Sequence, residues 1–318
     1  MNHPKISILI PIYGTEEYIE QCCHSLFNQD YDNVEFIFVN DCTKDRSVEI
    51  LNDTLKKYPH RLAQVKIINH IHNKGLGATR LTGLHNSTGD YVWFVDSDDY
   101  ISDNAISSIS NIITKGNYDL VTFSYNEVDG DIINKKTIEP FSVQDLLTDR
   151  VTPSIWKNVV KRSLFYEYNI FPIEGVDFAE DLHLLYRLLI VAKNRKTLKE
   201  HYLYNYNVAN VCSMMHNVNK ESMLSRLKAL TIVFEFYKSQ NKLYGVKPYF
   251  AFLLADTLLK IEDIDDSIHR ENKEIIKSLD KIIYLIISMC LQKKYKFTFL
   301  FVYRNMRYVL SLQKQILK

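Results

Sequence analysis

At 318 residues, with 46% hydrophobic and 24% charged content, the chain is long enough to bury a substantial core, which excludes a disordered or fibrous protein. A formal net charge of +1 gives no global reason to bind nucleic acid, although the charge is uneven: 289–318 holds seven Lys or Arg and no acid. Cys22, Cys23, Cys42, Cys212 and Cys290 are odd in number and show no metal-ligand spacing, which argues against a disulfide framework and fits a reducing cytoplasm.

The N-terminal run ISILIPIY is too short for a signal peptide and leads straight into patterned sequence. Apolar β-type runs then alternate with helical periodicity. Strands are predicted at Ile6–Ile12, Val34–Asn40, Val65–Asn69, Tyr91–Asp96 and Leu120–Tyr125, with helices at Glu17–Asn28, Ser47–Tyr58, Leu76–Asn86 and Asn104–Lys115 between them. The alternation predicts an α/β fold, a Rossmann-like, doubly wound and mostly parallel sheet. Ile19, Cys22, Cys23 and Leu26 share one stripe of the first helix, which makes the paired cysteines small core residues. Asp129-Gly130 marks a hairpin where the wound pattern ends. Phe178–Val191 has helical spacing, Lys196–Asn207 is an irregular, tyrosine-rich extended segment, and helical patterns occupy the rest of the chain. We place a boundary near Val218, giving a catalytic domain over 1–218, with halves of about 1–110 and 111–218, and a C-terminal helical region over 219–318.

Ligands of such sheets sit beyond the carboxyl ends of the strands. Here those ends carry Tyr13, Asp41, His70 and an acid cluster, Asp96, Asp98 and Asp99. Carboxylates two apart on an extended backbone point the same way, and hard oxygen donors of this kind suit Mg²⁺ or Mn²⁺; the alternative is a solvated strand-end turn. Tyr13 offers a flat ring to a nucleobase and Asp41 an acceptor for a base N–H, against a packed turn aromatic and a helix N-cap. Asn73, Gly75, Gly77 and Arg80 open the third helix, where the glycines permit close backbone approach and Arg80 can pair with a phosphate or with the acid cluster. Glu180-Asp181 begins a later helix, and adjacent helical residues point about 100° apart, so only one of the two faces a given ligand.

SILIPIYG, FIFVNDCTKDRS, NKGLGATRLTG, GDYVWFVDSDDY and PIEGVDFAEDL, in that order over residues 4–190, resemble the family-2 glycosyltransferases of GT-A fold. The resemblance implies an inverting, metal-dependent enzyme that moves a sugar from a nucleotide-diphosphate donor, a UDP-sugar, to a hydroxyl of a glycan or lipid-linked acceptor. It implies donor binding by Pro11, Tyr13, Asp41, Asn73, Gly75, Arg80, Asp96 and Ser97, and Mn²⁺ or Mg²⁺ on Asp98 and Asp99, with Asp99 alternatively organising the loop. Asp181 becomes the general base, with Glu180 either holding the acceptor or orienting its partner. Trp156 and Lys157 fall near the acceptor pocket, where Trp156 either stacks on a sugar or packs in the core. His183 and His216 are read as satisfied or surface histidines. The chain departs from the family pattern at Gly14, Asn40, Cys42-Thr43-Lys44 and Leu81, three of these around the Tyr13–Asp41 pocket. A non-catalytic nucleotide-sugar-binding protein of GT-A type is the alternative. The aromatic, basic stretch Met289–Lys318 reads either as a terminal helix packed on the protein or as a peripheral attachment to an anionic membrane face.

Overall fold

Strand β1 (Ile6–Ile12) is apolar on both faces, so it can only lie inside a sheet covered by helices. It is followed by α1 (Ile19–Phe27), β2 (Val34–Asn40), α2 (Ser47–Lys56), β3 (Val65–Asn69), α3 (Leu76–His85) and β4 (Tyr91–Phe94). These strands form the parallel half of the sheet in the order β3-β2-β1-β4, with Leu9 beside Ile37 on one side and Phe94 on the other. The computed structural model describes residues 3–147, 150–210 and 219–242, together with Val246, Phe250, Leu253, Leu254 and Thr257.

Beyond β4 the winding changes. There follow β5 (Tyr100–Ile101), α4 (Ala105–Gly116), β6 (Leu120–Asp129), β7 (Ile132–Lys136), α5 (Val143–Leu147), β8 (Asn158–Lys161), α6 (Arg162–Glu167), α7 (Glu180–Val191), β9 (Arg195–Asn207) and α8 (Lys220–Ser239). The long strand β6 does not pair with β4. β8 inserts between them, antiparallel to both, and β9 then lies parallel to β6. The sheet is therefore mixed, with a parallel N-terminal half, and the expected α/β class holds. The extended tyrosine segment is strand β9, and its expected irregularity shows as a break in its register with β6, where Phe123 pairs with Leu198 but Ser124 with Tyr202. Gly130, at φ +57°, turns the β6–β7 hairpin.

Helix α1 buries Ile19, Cys22, Cys23, Leu26 and Phe27 against this sheet, the stripe that its spacing predicts. Trp93 and Phe123 meet edge to face in the same core, their centroids 5.2 Å apart.

The chain divides into two compact units, Met1–Pro140 with Pro153–His216, and Phe141–Thr152 with Asn217–Lys318. The second unit thus takes in a segment that the sequence pattern assigns to the acceptor half. Within it α8 opens on a reciprocal Asn219–Ser222 capping pair and buries Met223, Leu227, Leu230, Val233, Phe234 and Tyr237. Phe250 packs edge-on to Phe234 and Tyr237. No helix among the described residues is long and apolar enough to cross a membrane. The basic stretch Met289–Lys318 and His216 lie outside the described residues.

Candidate active site

β4 ends at Phe94, two residues earlier than predicted, because Val95 to Asp99 turn away as the acid loop. One residue in α3 organises the site around this loop. Arg80 is 2% exposed, and its Nη2 donates to Asp96 Oδ1 at 2.7 Å while its Nη1 donates to Glu180 Oε1 at 2.5 Å and to Asp181 Oδ1 at 2.6 Å. A single guanidinium therefore ties the acid loop to the first turn of α7, about a hundred residues away from Arg80 in sequence. Burial works against its charge, but Asp96, Asp181 and Glu180 outweigh that cost and hold its pKa well above the ordinary range. Burial raises the pKa of both Glu180 and Asp181. For Glu180 the neighbouring Asp181 adds to the rise, whereas Arg80 opposes it for both. The Asp181 side chain is the more open of the two, 17% exposed against 9% for Glu180. Ala179 enters the helix at φ +65°, a left-handed conformation that costs a non-glycine residue about 1–2 kcal/mol and sets the direction in which this first turn points.

The three acids of the loop are not equivalent. Asp96, with its side chain 24% exposed, is held by Arg80. Asp99 is 2% exposed with both oxygens engaged, Oδ1 by the Asn207 N–H at 2.7 Å and Oδ2 by the Tyr204 hydroxyl at 2.7 Å; the same hydroxyl accepts the Asp96 N–H at 3.1 Å. Asp98 accepts from Asn210 Nδ2 at 2.8 Å through Oδ2. Burial and then neighbouring acid charge push Asp98 up and Asp99 well up. The end of β9 is thus the brace of the acid loop, a role that Tyr204, Asn207 and Asn210 did not disclose in sequence.

On the other side, Tyr13 stands 55% exposed at the end of β1, and Pro11 sits in β1 beside Val39 of β2. Ser97 is buried, its hydroxyl 3.2 Å from that of Thr15, which joins the acid loop to the turn after β1. Asp45 gathers the hydroxyls of Thr43 and Ser47 and the Glu16 N–H, stapling the turns after β1 and β2 together. Asp41 is 3% exposed, and its carboxylate meets His70 Nδ1 at 2.6 Å, the Lys74 N–H at 2.9 Å and the Gly75 N–H at 2.8 Å. Asp41 is therefore the anchor of the turn that carries Asn73, whose amide donates to the Asp41 carbonyl at 3.3 Å. Gly75 lies at φ +87°, and a Cβ there would fall 2.4 Å from the Asp177 carboxylate. The glycines of this turn admit the loop before α7, with the Gly77 N–H donating to Asp177 Oδ1 at 2.9 Å. Asp177 lies inside the PIEGVDFAEDL segment, but nothing local gave it this role.

Trp156 is 7% exposed and stacks on Tyr204 at 4.6 Å and on Tyr206 at 5.4 Å, which leaves little of its face to a sugar. Lys157 is 2% exposed, and burial lowers its pKa to about 8 against the opposing pull of Asp181. His183 is buried, with Nδ1 against Arg187 Nη2 at 2.6 Å.

Among the described residues no three His, Cys, Asp or Glu side chains surround one point as a metal cage. A Mg²⁺ or Mn²⁺ that completes its shell with water and diphosphate oxygens needs only one or two carboxylates. Asp98, in a loop whose acids raise one another's pKa, fits such an ion, whereas both oxygens of Asp99 already accept from Asn207 and Tyr204.

The sequence model of the family described as "Glycosyl transferase family 2" matches residues 7–168. The chain is similar to the uncharacterized glycosyltransferase EpsJ of Bacillus subtilis, 32% identical over 217 residues, covering 64% of this chain and 62% of that protein, so it spans less than two thirds of that relative. It is also 29% identical over 262 residues to an uncharacterized glycosyltransferase of Haemophilus influenzae, covering 80% of this chain and 96% of the other. The crystal structure of S. aureus TarS 1-349 in complex with UDP superposes with a TM-score of 0.65 at 19% identity, over 98% of this chain and 91% of that one, a likeness of fold.

Proposed function

The chain belongs to glycosyl transferase family 2, and on that premise we propose that it is an inverting, metal-dependent enzyme that transfers a sugar from a UDP-sugar to a hydroxyl of a glycan or lipid-linked acceptor. The observation that carries this reading is the Arg80 junction, which places the acid loop and the Glu180–Asp181 pair around one buried cation. A donor diphosphate at the acid loop and an acceptor hydroxyl at the more open carboxylate would then lie on opposite sides of the transferred sugar. The TarS fragment of similar fold carries UDP, and TarS itself is a poly(ribitol-phosphate) beta-N-acetylglucosaminyltransferase; both support a UDP-sugar donor and a polyol or glycan acceptor here.

In this reading Tyr13 stacks on the base, and Asp41 acts through the Asn73–Gly75 turn rather than by direct contact. Asp96 reaches the ribose or the sugar. Asp98, whose carboxylate accepts from the Asn210 amide through Oδ2, is the direct metal ligand, and Asp99 organises the loop through Tyr204 and Asn207. A Mn²⁺ or Mg²⁺ held there supplies charge neutralisation for the departing nucleoside diphosphate. Asp181 takes the proton of the acceptor oxygen as that oxygen attacks the anomeric carbon, and Glu180 fixes Arg80 beside it.

A screen of nucleotide sugars by mass spectrometry, with Mn²⁺ and with excess EDTA, tests the assignment: turnover of a UDP-sugar only with metal is expected, and no turnover of any donor refutes it. Asp98→Asn is expected to abolish transfer and at the same time to raise the Tm of the metal-free protein. Burial and Asp96 hold the folded Asp98 pKa above its unfolded value, so its ionised form costs stability as the pH rises, and a neutral isostere removes that cost. Undiminished transfer by the variant, or an unchanged melting curve, contradicts this account.

Calorimetry separates the two sides of the base pocket. Tyr13→Ala is expected to weaken UDP binding by about 1–3 kcal/mol through lost stacking, with Tm unchanged because the ring is exposed. Asp41→Ala is expected to lower both UDP affinity and Tm, since two backbone N–H groups and His70 lose their acceptor. Equal UDP affinity in native and Tyr13→Ala protein would move the base elsewhere.

A further inference from the structure

Tyr204, Trp156 and Tyr206 form a stack of near-parallel rings in which Trp156 is common to both contacts, the interplanar angles being 16° and 7°. The stack runs from Tyr204, fully buried, to Tyr206, half-buried. Tyr125 meets Trp156 edge-on at 4.8 Å and is also half-buried. Two members of the stack are tied to the chemistry already described. Tyr206 precedes Asn207, whose N–H holds Asp99, and Trp156 follows Ile155, whose N–H donates to the Asp181 carboxylate. Tyr206 is therefore close enough to the acid loop to feel the charges of Asp99, Asp98 and Asp96, while Trp156 adjoins the backbone that holds the candidate base. The Tyr204 and Tyr202 hydroxyls are bonded, to Asp99 and to Thr137, whereas those of Tyr125 and Tyr206 have no hydrogen-bond partner among the described residues. Two half-buried rings with uncommitted hydroxyls near the acid loop suit a ligand with an apolar C–H face and a rim of hydroxyls.

We propose that Tyr206, with Tyr125 beside it, is the platform on which the acceptor's pyranose ring rests, Trp156 serving as the rigid backing of that platform rather than as a contact. The inference rests on the transferase reading and adds residues that the family resemblance did not assign. The half-buried tyrosine supplies the stacking face, and the buried tryptophan and Tyr204 keep its plane fixed relative to Asp99.

Saturation-transfer NMR with a panel of methyl pyranosides tests this on the full-length chain. Signal at the ring C–H protons is expected from the native protein and from Tyr206→Phe, which keeps the face, and affinity is expected to fall about tenfold in Tyr206→Ala and Tyr206→Leu. The leucine variant keeps bulk and secures the comparison should the alanine variant not fold. Glycoside binding in Tyr206→Leu equal to native, or no transfer of saturation to any pyranoside by native protein that binds UDP in calorimetry, overturns the platform. Failure of the native protein to bind UDP would instead overturn the donor reading on which the platform rests.

Discussion

Replacing Arg80 by methionine is expected to destabilise the folded protein by about 3–5 kcal/mol, the cost of leaving buried carboxylates without their counter-charge. Three acids depend on this one side chain, which is 2% exposed, so water cannot take its place. Each kcal/mol corresponds to about 2–4 °C in the Tm of a unit of this size, which makes the loss easy to read by thermal melting. Its pH dependence follows from the raised pKa values of Glu180 and Asp181. A carboxyl with a raised folded pKa binds more protons in the native than in the unfolded state, so its contribution to stability falls as the pH climbs above the ordinary carboxylate range. Without Arg80 that fall steepens, and the deficit of Arg80→Met relative to native is expected to be larger at about pH 8 than at about pH 5. Arg80→Lys should not rescue it, because an ammonium cannot reproduce the planar fork that spans Asp96 on one nitrogen and the Glu180–Asp181 pair on the other. A melting temperature within a degree of native for Arg80→Met would show that the junction does not hold the site together.

Asp181→Asn is expected to lower kcat by about 10²–10⁴-fold while leaving UDP affinity near native, since the amide keeps the shape of the side chain but cannot accept the acceptor's proton. Glu180→Gln is expected to have a smaller effect, because its side chain is the more enclosed of the two. The acidic limb of the kcat profile is expected to lie above the pKa of a free aspartate, burial being the first cause, and to belong to the Glu180–Asp181 pair jointly. Normal turnover by Asp181→Asn alongside a dead Glu180→Gln would move the base by one residue.

The strands β1, β2 and β3 follow from periodicity and apolar runs, and their predicted bounds coincide with those observed. Local patterning suffices there because these strands are apolar runs set off by amphipathic helices, and successive strands β1, β2 and β3 pair with one another. The core stripe of α1 was legible for the same reason, as was the hairpin at Gly130, where a single positive φ needs a glycine. The family, too, was legible, because its motifs are short, ordered and carried on the strand ends that face the ligand.

Tertiary structure alone decided what those motif residues touch. That β8 parts β4 from β6 is a pairing between segments some forty to seventy residues apart, and no local pattern encodes it. Arg80 stood equally open to a phosphate or to the acid cluster in sequence; the fold gives it Asp96, Glu180 and Asp181, the last two a hundred residues away. Asp41 reads as a free acceptor at a strand end, yet its oxygens are taken by His70 and the Lys74 and Gly75 N–H groups. Tyr204, Asn207 and Asn210 carry no motif, and they brace the acid loop only because β9 ends beside it. Residue type and spacing thus determined the family and the chemistry available at the strand ends. Which carboxylate is open, which is braced and which is paired depended on long-range contacts in a low-dielectric interior, where one buried guanidinium decides the charge balance of the site.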